Sequence, residues 1–327
     1  MRSINQWLAG FCAALALAVF APIAYAQAYP TKSIRLVVPY PPGGATDFFA
    51  RTVFPKMAEA LGQSIIIENR PGAGTAIGAS EVARSAPDGY TLLLGDAGTY
   101  AFNPTLYQKL SYNPERDFTP VSLTGRFALI LVVNPKALEV ASVEEFVNAA
   151  KRQPGKINYA APGPGSPLHL AMDFFKQRAA IDMTPIPYKG GADAVSDLIG
   201  GQIGTMFLDI ASGLPQIRGG KVKPLAVASD KRVASLPDLP TIGESGYPGF
   251  EAWAWQGFVA PAGTPKEIVM RLNTEFAKVI ADPGIRQRLS ESGFEPQAST
   301  PEQFSSYMAS EIAKWRKVIR ESNISLN

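Results

Sequence analysis

Apolar positions along the chain switch repeatedly between two periods. Residues 34–38, IRLVV, are an apolar run apart from Arg35, and from Thr46 to Leu61 the residues Phe49, Val53, Met57 and Leu61 recur every four positions. The first pattern predicts a buried strand and the second a helix with one apolar face. The alternation continues with strand 64–68 (SIIIE), a small-residue helix over 74–85 and strand 90–95 (YTLLLG). A long apolar stretch at 121–135, VSLTGRFALILVVNP, predicts strands leading into a second unit, where the pattern restarts. There the spacing predicts helix 142–152, strand 156–160, helix 166–177, strand 183–188, helix 192–201 and strands 203–209 and 222–229. A Pro- and Gly-rich connector covers 235–251, WAWQGFVAP (253–261) predicts a strand returning to the first unit, and helices over 265–281 and 301–321 close the chain. In the last helix Phe304, Met308, Ile312, Trp315 and Ile319 form one stripe, which reads as a core-facing seam.

Strands separated by helices predict an α/β fold of two domains, each a mostly parallel sheet flanked by helices. The expected division is a discontinuous first domain, 27–124 plus 252–327, and a second domain, 125–251. The crossings at 121–135 and 250–261 are the candidate hinge.

The first 26 residues follow a different pattern. Arg2 is the only charge before Lys32, LAGFCAALALAVF (8–20) is an apolar run, and AYA (24–26) supplies small residues at the cleavage positions. This reads as a secretory signal cut after Ala26, which predicts a periplasmic protein. Removing it takes away Cys12, the only Cys, and leaves 327 − 26 = 301 residues without a thiol. Lys and Arg number 31 against 28 Asp and Glu, a net charge of +3 with no long basic run, so a nucleic-acid partner is not expected.

The chemistry available narrows the function classes further. His169 is the only His, and the motifs G-x-S-x-G, H-E-x-x-H and G-x-x-x-x-G-K-[ST] are absent. No catalytic residue, metal ligand or cofactor is therefore expected, and His169, in the first turn of a helix, reads as structural. Two stretches instead suit an anion. PYPPGGATD (39–47) links a strand to a helix, and Gly43 and Gly44 leave backbone amides uncovered at the positive end of that helix. Asp47 offers a competing reading, since it can cap the helix itself and pair with Arg51. NYAAPGPGSPLHL (158–170) repeats the arrangement in the second unit, with Gly163, Gly165 and the N-cap Ser166. Both turns follow strands, so both belong at the carboxyl edge where ligands bind in open sheets. Thr99, Asn103, Tyr188 and Asp209 are further candidates for the cleft wall, as is the Gly190–Gly191 helix start, each balanced against an ordinary turn role.

The segments YPTKSIRLVVPYPPGGATDFFAR (29–51), ENRPGAGTAIGASEVARSAPDGYTLL (68–93), FNPTLY (102–107), NYAAPGPGSPLHL (158–170), PYKGGADAVSDLIGGQI (187–203) and GFVAPAGTP (257–265) together resemble the Bug family. These are the extracytoplasmic solute receptors of tripartite tricarboxylate transporters. The resemblance implies a two-domain, Venus-flytrap periplasmic binding protein that holds a carboxylate between two jaws. The matching positions are Tyr40, Pro41, Gly43, Gly44, Ala45 and Thr46 in one jaw, and Ala161, Gly163, Gly165, Ser166 and Pro167 in the other, with Thr99 from a third loop. Tyr100 departs from the family, many of whose members carry His there, and points to a flatter or less polar ligand. The implied partners are a small-molecule carboxylate and the membrane permease subunits, with the receptor a monomer. Two other readings stay open: an adaptor for a periplasmic sensor kinase, and a secreted hydrolase of an anionic ester, which would need His169 or a Lys/Asp pair.

Overall fold

The computed structural model describes residues 29–163, 165–188 and 190–326. The expected signal segment, its cleavage after Ala26 and Cys12 lie outside the described residues. Lys32–Asn327 forms one compact unit.

The first part of this unit runs β1 (Ile34–Val38), α1 (Ala45–Leu61), β2 (Ile65–Asn69), α2 (Ala76–Ala83) and β3 (Thr91–Asp96). A π-helical turn at Gly98–Phe102 leads into the short α3 (Asn103–Leu106). The second part holds α4 (Val143–Arg152), β5 (Asn158–Pro162), α5 (Pro167–Ala179), β6 (Thr184–Tyr188), α6 (Gly191–Gly200), β7 (Thr205–Asp209), α7 (Ile210–Arg218) and β8 (Lys223–Val227). Between the two parts runs β4 (Phe118–Val133), and β9 (Trp253–Pro261) brings the chain back. α8 (Lys266–Ala281), α9 (Pro283–Glu291), β10 (Phe294–Pro296) and α10 (Pro301–Glu321) complete the fold.

Local chemistry sets the ends of these elements. The Ser142 hydroxyl accepts from Glu145 N at the start of α4, whose first turn carries Glu144 and Glu145 and whose last turn carries Lys151 and Arg152. Thr300 and Gln303 form a reciprocal capping box at the start of α10. Gly62, at φ 71°, stops α1 in a left-handed cap. The helix expected over 74–85 begins later, because Gly74 (φ 55°) and Thr75 (φ 80°) first make a 3₁₀ turn. α7, α9 and β10 are additions that the periodicity did not predict. α7 contains Gly213 and Pro215, which break its apolar pattern, and α9 follows Asp282-Pro283, a start signal easily read as a break.

The strands form one path, β2-β1-β3-β9-β4-β7-β5-β6, with β8 and β10 also paired to β4. β1 pairs parallel with β2 and β3, and β5 parallel with β6 and β7. The central pairs, β3 with β9, β9 with β4 and β4 with β7, are antiparallel, so the sheet is mixed rather than uniformly parallel. The reason is the direction of travel: β4 leaves the first part and β9 returns to it alongside, so the two run in opposite directions. β4 has 16 residues; up to Ala128 it pairs with β9, and from Leu129 it pairs with β7. One long strand thus belongs to both α/β lobes. The stripe on α10 is buried as the spacing predicts, with Phe304, Met308, Ile312, Trp315 and Ile319 all at or below 3 % exposure. It carries Glu311, whose carboxylate accepts from the indole nitrogens of both Trp255 and Trp315 at 2.9 Å.

Candidate functional site

Three helices of at least ten residues start at one cavity of about 550 Å³. The α1 start contributes Gly44, Ala45 and Thr46, the α5 start Ser166, Pro167 and Leu168, and the α6 start Gly190 and Gly191. Gly44 and Gly190 are the N-caps of α1 and α6, and both are extended (φ −78° and −162°) with no side chain to cap the first turn. The α1 ladder begins with Phe48 N donating to Gly44 O at 2.9 Å, so the amides of Ala45, Thr46 and Asp47 stand ahead of it. These donors, with the positive ends of the helix dipoles, favour an anion in the cavity.

The turn before α1 is braced from behind. Asp47 Oδ2 accepts from Gly43 N and from Arg51 Nε, both at 2.9 Å. Asn69 Nδ2 donates to Asp47 Oδ1 and to Tyr40 O, both at 3.0 Å. Burial pushes the Asp47 pKa up, but the Arg51 guanidinium, the Gly43 amide and Asn69 outweigh it and hold the carboxyl at about 2. The α5 turn is braced by His169. Gly165 N donates to His169 Nδ1 at 3.1 Å, and His169 Nε2 faces Asp173 Oδ2 at 3.2 Å. The Tyr159 hydroxyl donates to Asp173 Oδ1 at 2.8 Å. His169 is 7 % exposed and holds the loop in shape, which accords with its structural reading.

The structure sorts the sequence candidates. Tyr40, Pro41, Gly44, Ala45, Thr46, Gly163, Ser166, Pro167 and Asp209 line the cavity. Gly43, Gly165, Ala161, Thr99, Asn103 and Tyr188 do not. The Gly43 amide is taken by Asp47 and the Gly165 amide by His169. A side chain at Gly165 would run into Leu106, away from the cavity. Ala161 is 1 % exposed within β5. Asn103 Nδ2 donates to Gly74 O (2.6 Å), Thr75 Oγ1 (3.1 Å) and the Tyr112 hydroxyl (3.2 Å), so it ties down the 73–75 turn. The Tyr188 hydroxyl donates to Asp197 Oδ2 at 2.8 Å. Two candidates that do line or approach the cavity are also committed elsewhere: the Gly163 amide donates to Tyr188 O (2.8 Å), and the Ser166 hydroxyl donates to Pro162 O while accepting from His169 N. Tyr100 is fully buried, stacked at 6.0 Å on Trp255, with its hydroxyl donating to Leu93 O and Gly257 O. It shapes the cavity only through Trp255.

Sequence reasoning missed the floor and apolar wall. Phe127 and Leu129 come from β4, Ala254, Trp255 and Gln256 from β9, and Asp96 from the end of β3. Asp96 is half-buried, and its Oδ1 accepts from Thr99 N (3.1 Å) and Thr99 Oγ1 (3.4 Å). Burial raises its pKa above the usual carboxylate range, although the Tyr40 hydroxyl and the amides of Thr99 and Gly98 pull the other way. That the acid following YTLLLG belongs at the cleft edge was legible from the strand-end rule alone. Gln256 was not, because its neighbours on β9 read as plain core.

Two α/β lobes sharing crossing strands, with helix N-termini turned onto a common cleft, define a two-domain periplasmic-binding-protein fold. The sequence pattern of the tripartite tricarboxylate transporter family receptor matches residues 49–324, and this chain belongs to that family. Among solved structures, Rpa4515 of R. palustris with adipate is 37 % identical, covering 91 % of this chain and 99 % of its own, with a TM-score of 0.81. The periplasmic binding protein BugD is 35 % identical, covering 91 % and 99 %, with a TM-score of 0.77. MatC of Rhodopseudomonas palustris with bound malate is 34 % identical, covering 89 % and 100 %, also at 0.77. The family is one of solute receptors rather than enzymes.

Proposed function

We propose that this protein is an extracytoplasmic receptor that binds a small organic carboxylate in the 550 Å³ cavity and delivers it to a tripartite tricarboxylate-type membrane permease. The observation that carries this reading is the meeting of three helix starts at one cavity, two of them capped by glycine and so carrying no side-chain acceptor. Uncapped amides and dipoles suit reversible capture of a carboxylate and supply no nucleophile or proton shuttle. The adipate and malate bound by two of the similar structures support the same ligand class.

The ligand contacts we assign are the first-turn amides of α1, the Leu168 amide of α5, the first-turn amides of α6 and the Thr46 hydroxyl. The remaining features follow the sequence reading: export by a signal cut after Ala26, a periplasmic monomer, and domains divided near 124/125 and 251/252. Closure about β4 and β9 fits the change of partner along β4 after Ala128. Isothermal titration of the purified protein against mono-, di- and tricarboxylates tests the proposal. Saturable binding of at least one is expected; heats of dilution alone across the whole panel, with protein shown to be free of carried-over ligand, would overturn it.

A further inference from the structure

Asp96 and Gln256 stand directly opposite each other across the antiparallel β3–β9 pair, and both line the cavity. Directly opposed residues on one face of a sheet lie close enough to act on one group. Gln256 is 4 % exposed, and its Nε2 donates to Thr46 Oγ1 at 3.1 Å. Its Oε1 is buried and has no hydrogen-bond partner among the described residues. A buried acceptor without a partner costs stability, and one that lines a cavity can be satisfied by a donor on a ligand. Asp96, held by the Tyr40 hydroxyl and the amides of Gly98 and Thr99, adds a carboxylate and its charge beside it. The Asp96 Oδ1 atom already caps the 98–102 turn through Thr99, so the side chain is held in place rather than free to swing away.

The charge balance of the cavity points the same way. Asp96 and Asp209 line it, and among the described residues no Lys, Arg or His does. Asp209 is occupied by its own helix: its Oδ1 accepts from Ser212 N and its Oδ2 from the Ser212 hydroxyl, both at 2.9 Å. Asp96 is therefore an acid in a dehydrating site without a cation beside it, and burial raises its pKa accordingly. A second carboxylate placed there would face a like charge and an orphan acceptor at once. A protonated amine would satisfy both.

We infer that Asp96 and Gln256 form a specificity subsite for an ammonium group, so the ligand is a carboxylate that also carries a protonated amine. This rests on the carboxylate reading above and deepens it. One end of the ligand lies on the helix starts, the amine lies over the β3–β9 pair, and the apolar wall of Phe127, Leu129 and Trp255 covers the carbons between.

The test uses matched series of three to six carbons: unsubstituted monocarboxylates, their ω-amino and ω-hydroxy derivatives, and the dicarboxylates of equal length. Affinities are measured by titration calorimetry on the wild type, Asp96→Asn and Gln256→Leu. Asn retains the side-chain oxygen that accepts from Thr99 N, so melting without ligand serves as the control for folding. In the wild type the best amino acid should bind about tenfold or more tightly than the dicarboxylate of equal length, as expected for opposed against like charge in a site of this kind. Asp96→Asn should remove that preference, weakening the amino acid by a larger factor than the unsubstituted monocarboxylate of equal length. Gln256→Leu should weaken the amino acid in particular. A wild type that prefers the dicarboxylate, or a preference unchanged in Asp96→Asn, overturns the assignment. So does a Gln256→Leu variant that loses the dicarboxylate instead, since the amide then donates rather than accepts. If no carboxylate of any series binds the wild type, the carboxylate reading itself fails, and this inference with it.

Discussion

Asp47 serves the binding turn without lining the cavity. It gathers the Gly43 amide, Arg51 and Asn69, and so sets the direction in which the 40–44 turn presents the first amides of α1. Its carboxyl is held at about 2, against an ordinary unfolded value of about 3.9. A depressed folded-state pKa contributes stability that is complete above the unfolded value and is lost as pH falls through the folded one. Between about pH 4 and pH 2 the wild type should therefore lose about 1–2 kcal/mol through this residue, a figure reduced from the full linkage value because Arg51 is exposed. Asp47→Asn should be less stable at neutral pH and should lack that part of the acid loss. Urea melts of both proteins at pH 7, 4 and 2.5 check this; parallel pH profiles would show that Asp47 is not the group responsible. In the sequence, Asp47 and Arg51 were visible as an i, i+4 pair. Asn69, which lies on the next strand, was not tied to them by any local spacing.

At the scale of the element, the glycine caps separate binding from stability. A Cβ at Gly190 would meet nothing within 4 Å, and one at Gly44 only Pro41 O at 3.9 Å. Neither position needs glycine for its backbone angles, since both are extended. What glycine leaves there is uncapped amides. Gly44→Asp and Gly190→Asp should each place a carboxylate on those amides as an ordinary N-cap. Carboxylate affinity should fall about tenfold or more while the melting temperature holds or rises. Calorimetric titration and a thermal melt of the same samples report both quantities, and unaltered affinity would remove that helix start from the site.

A second element-scale outcome concerns α10. Glu311 is 6 % exposed and accepts from two buried indoles, while Lys314 Nζ reaches its other oxygen at 3.1 Å. Glu311→Ala leaves both indole N–H groups without this acceptor and should cost about 3 kcal/mol. Glu311→Gln, which keeps an acceptor, should recover part of it. Equal urea midpoints for wild type and Glu311→Ala would mean the indoles find other partners. The apolar stripe of α10 was plain in the spacing, but the spacing did not single out the acid beside it. Its burial depends on Trp255, which reaches it from β9.

At the scale of the whole molecule, the cavity draws its walls from both lobes at once. A ligand at about 100 times its dissociation constant stabilises the bound fold by about 2.7 kcal/mol, which for a chain of this size raises the melting temperature by several degrees. Amide exchange should slow at 40–46, 163–168 and 190–193 together, because the cavity takes its walls from all three. Exchange slowed on one lobe only would argue against closure about the crossing strands. Hydrogen-exchange mass spectrometry with and without the tightest carboxylate found in the panel reads this directly.

The alternation of short apolar runs with period-3.6 patterns determined most of the strands and helices, and the glycine- and proline-rich turns after strands 34–38 and 156–160 marked where two helices open onto the cavity. These are local properties, set by backbone angles, side-chain spacing and caps a few residues apart. Tertiary structure alone decided which of those turns kept their amides free. Gly43 and Gly165 surrendered theirs to Asp47 and His169, while the first turns of α1 and α6, behind Gly44 and Gly190, carry no side-chain cap. It also decided the floor of the cleft, because Asp96 and Gln256 meet only when β9 returns from the second lobe to pair with β3. Pairing between strands so far apart in the chain depends on the burial of both lobes, and no window of local spacing contains it.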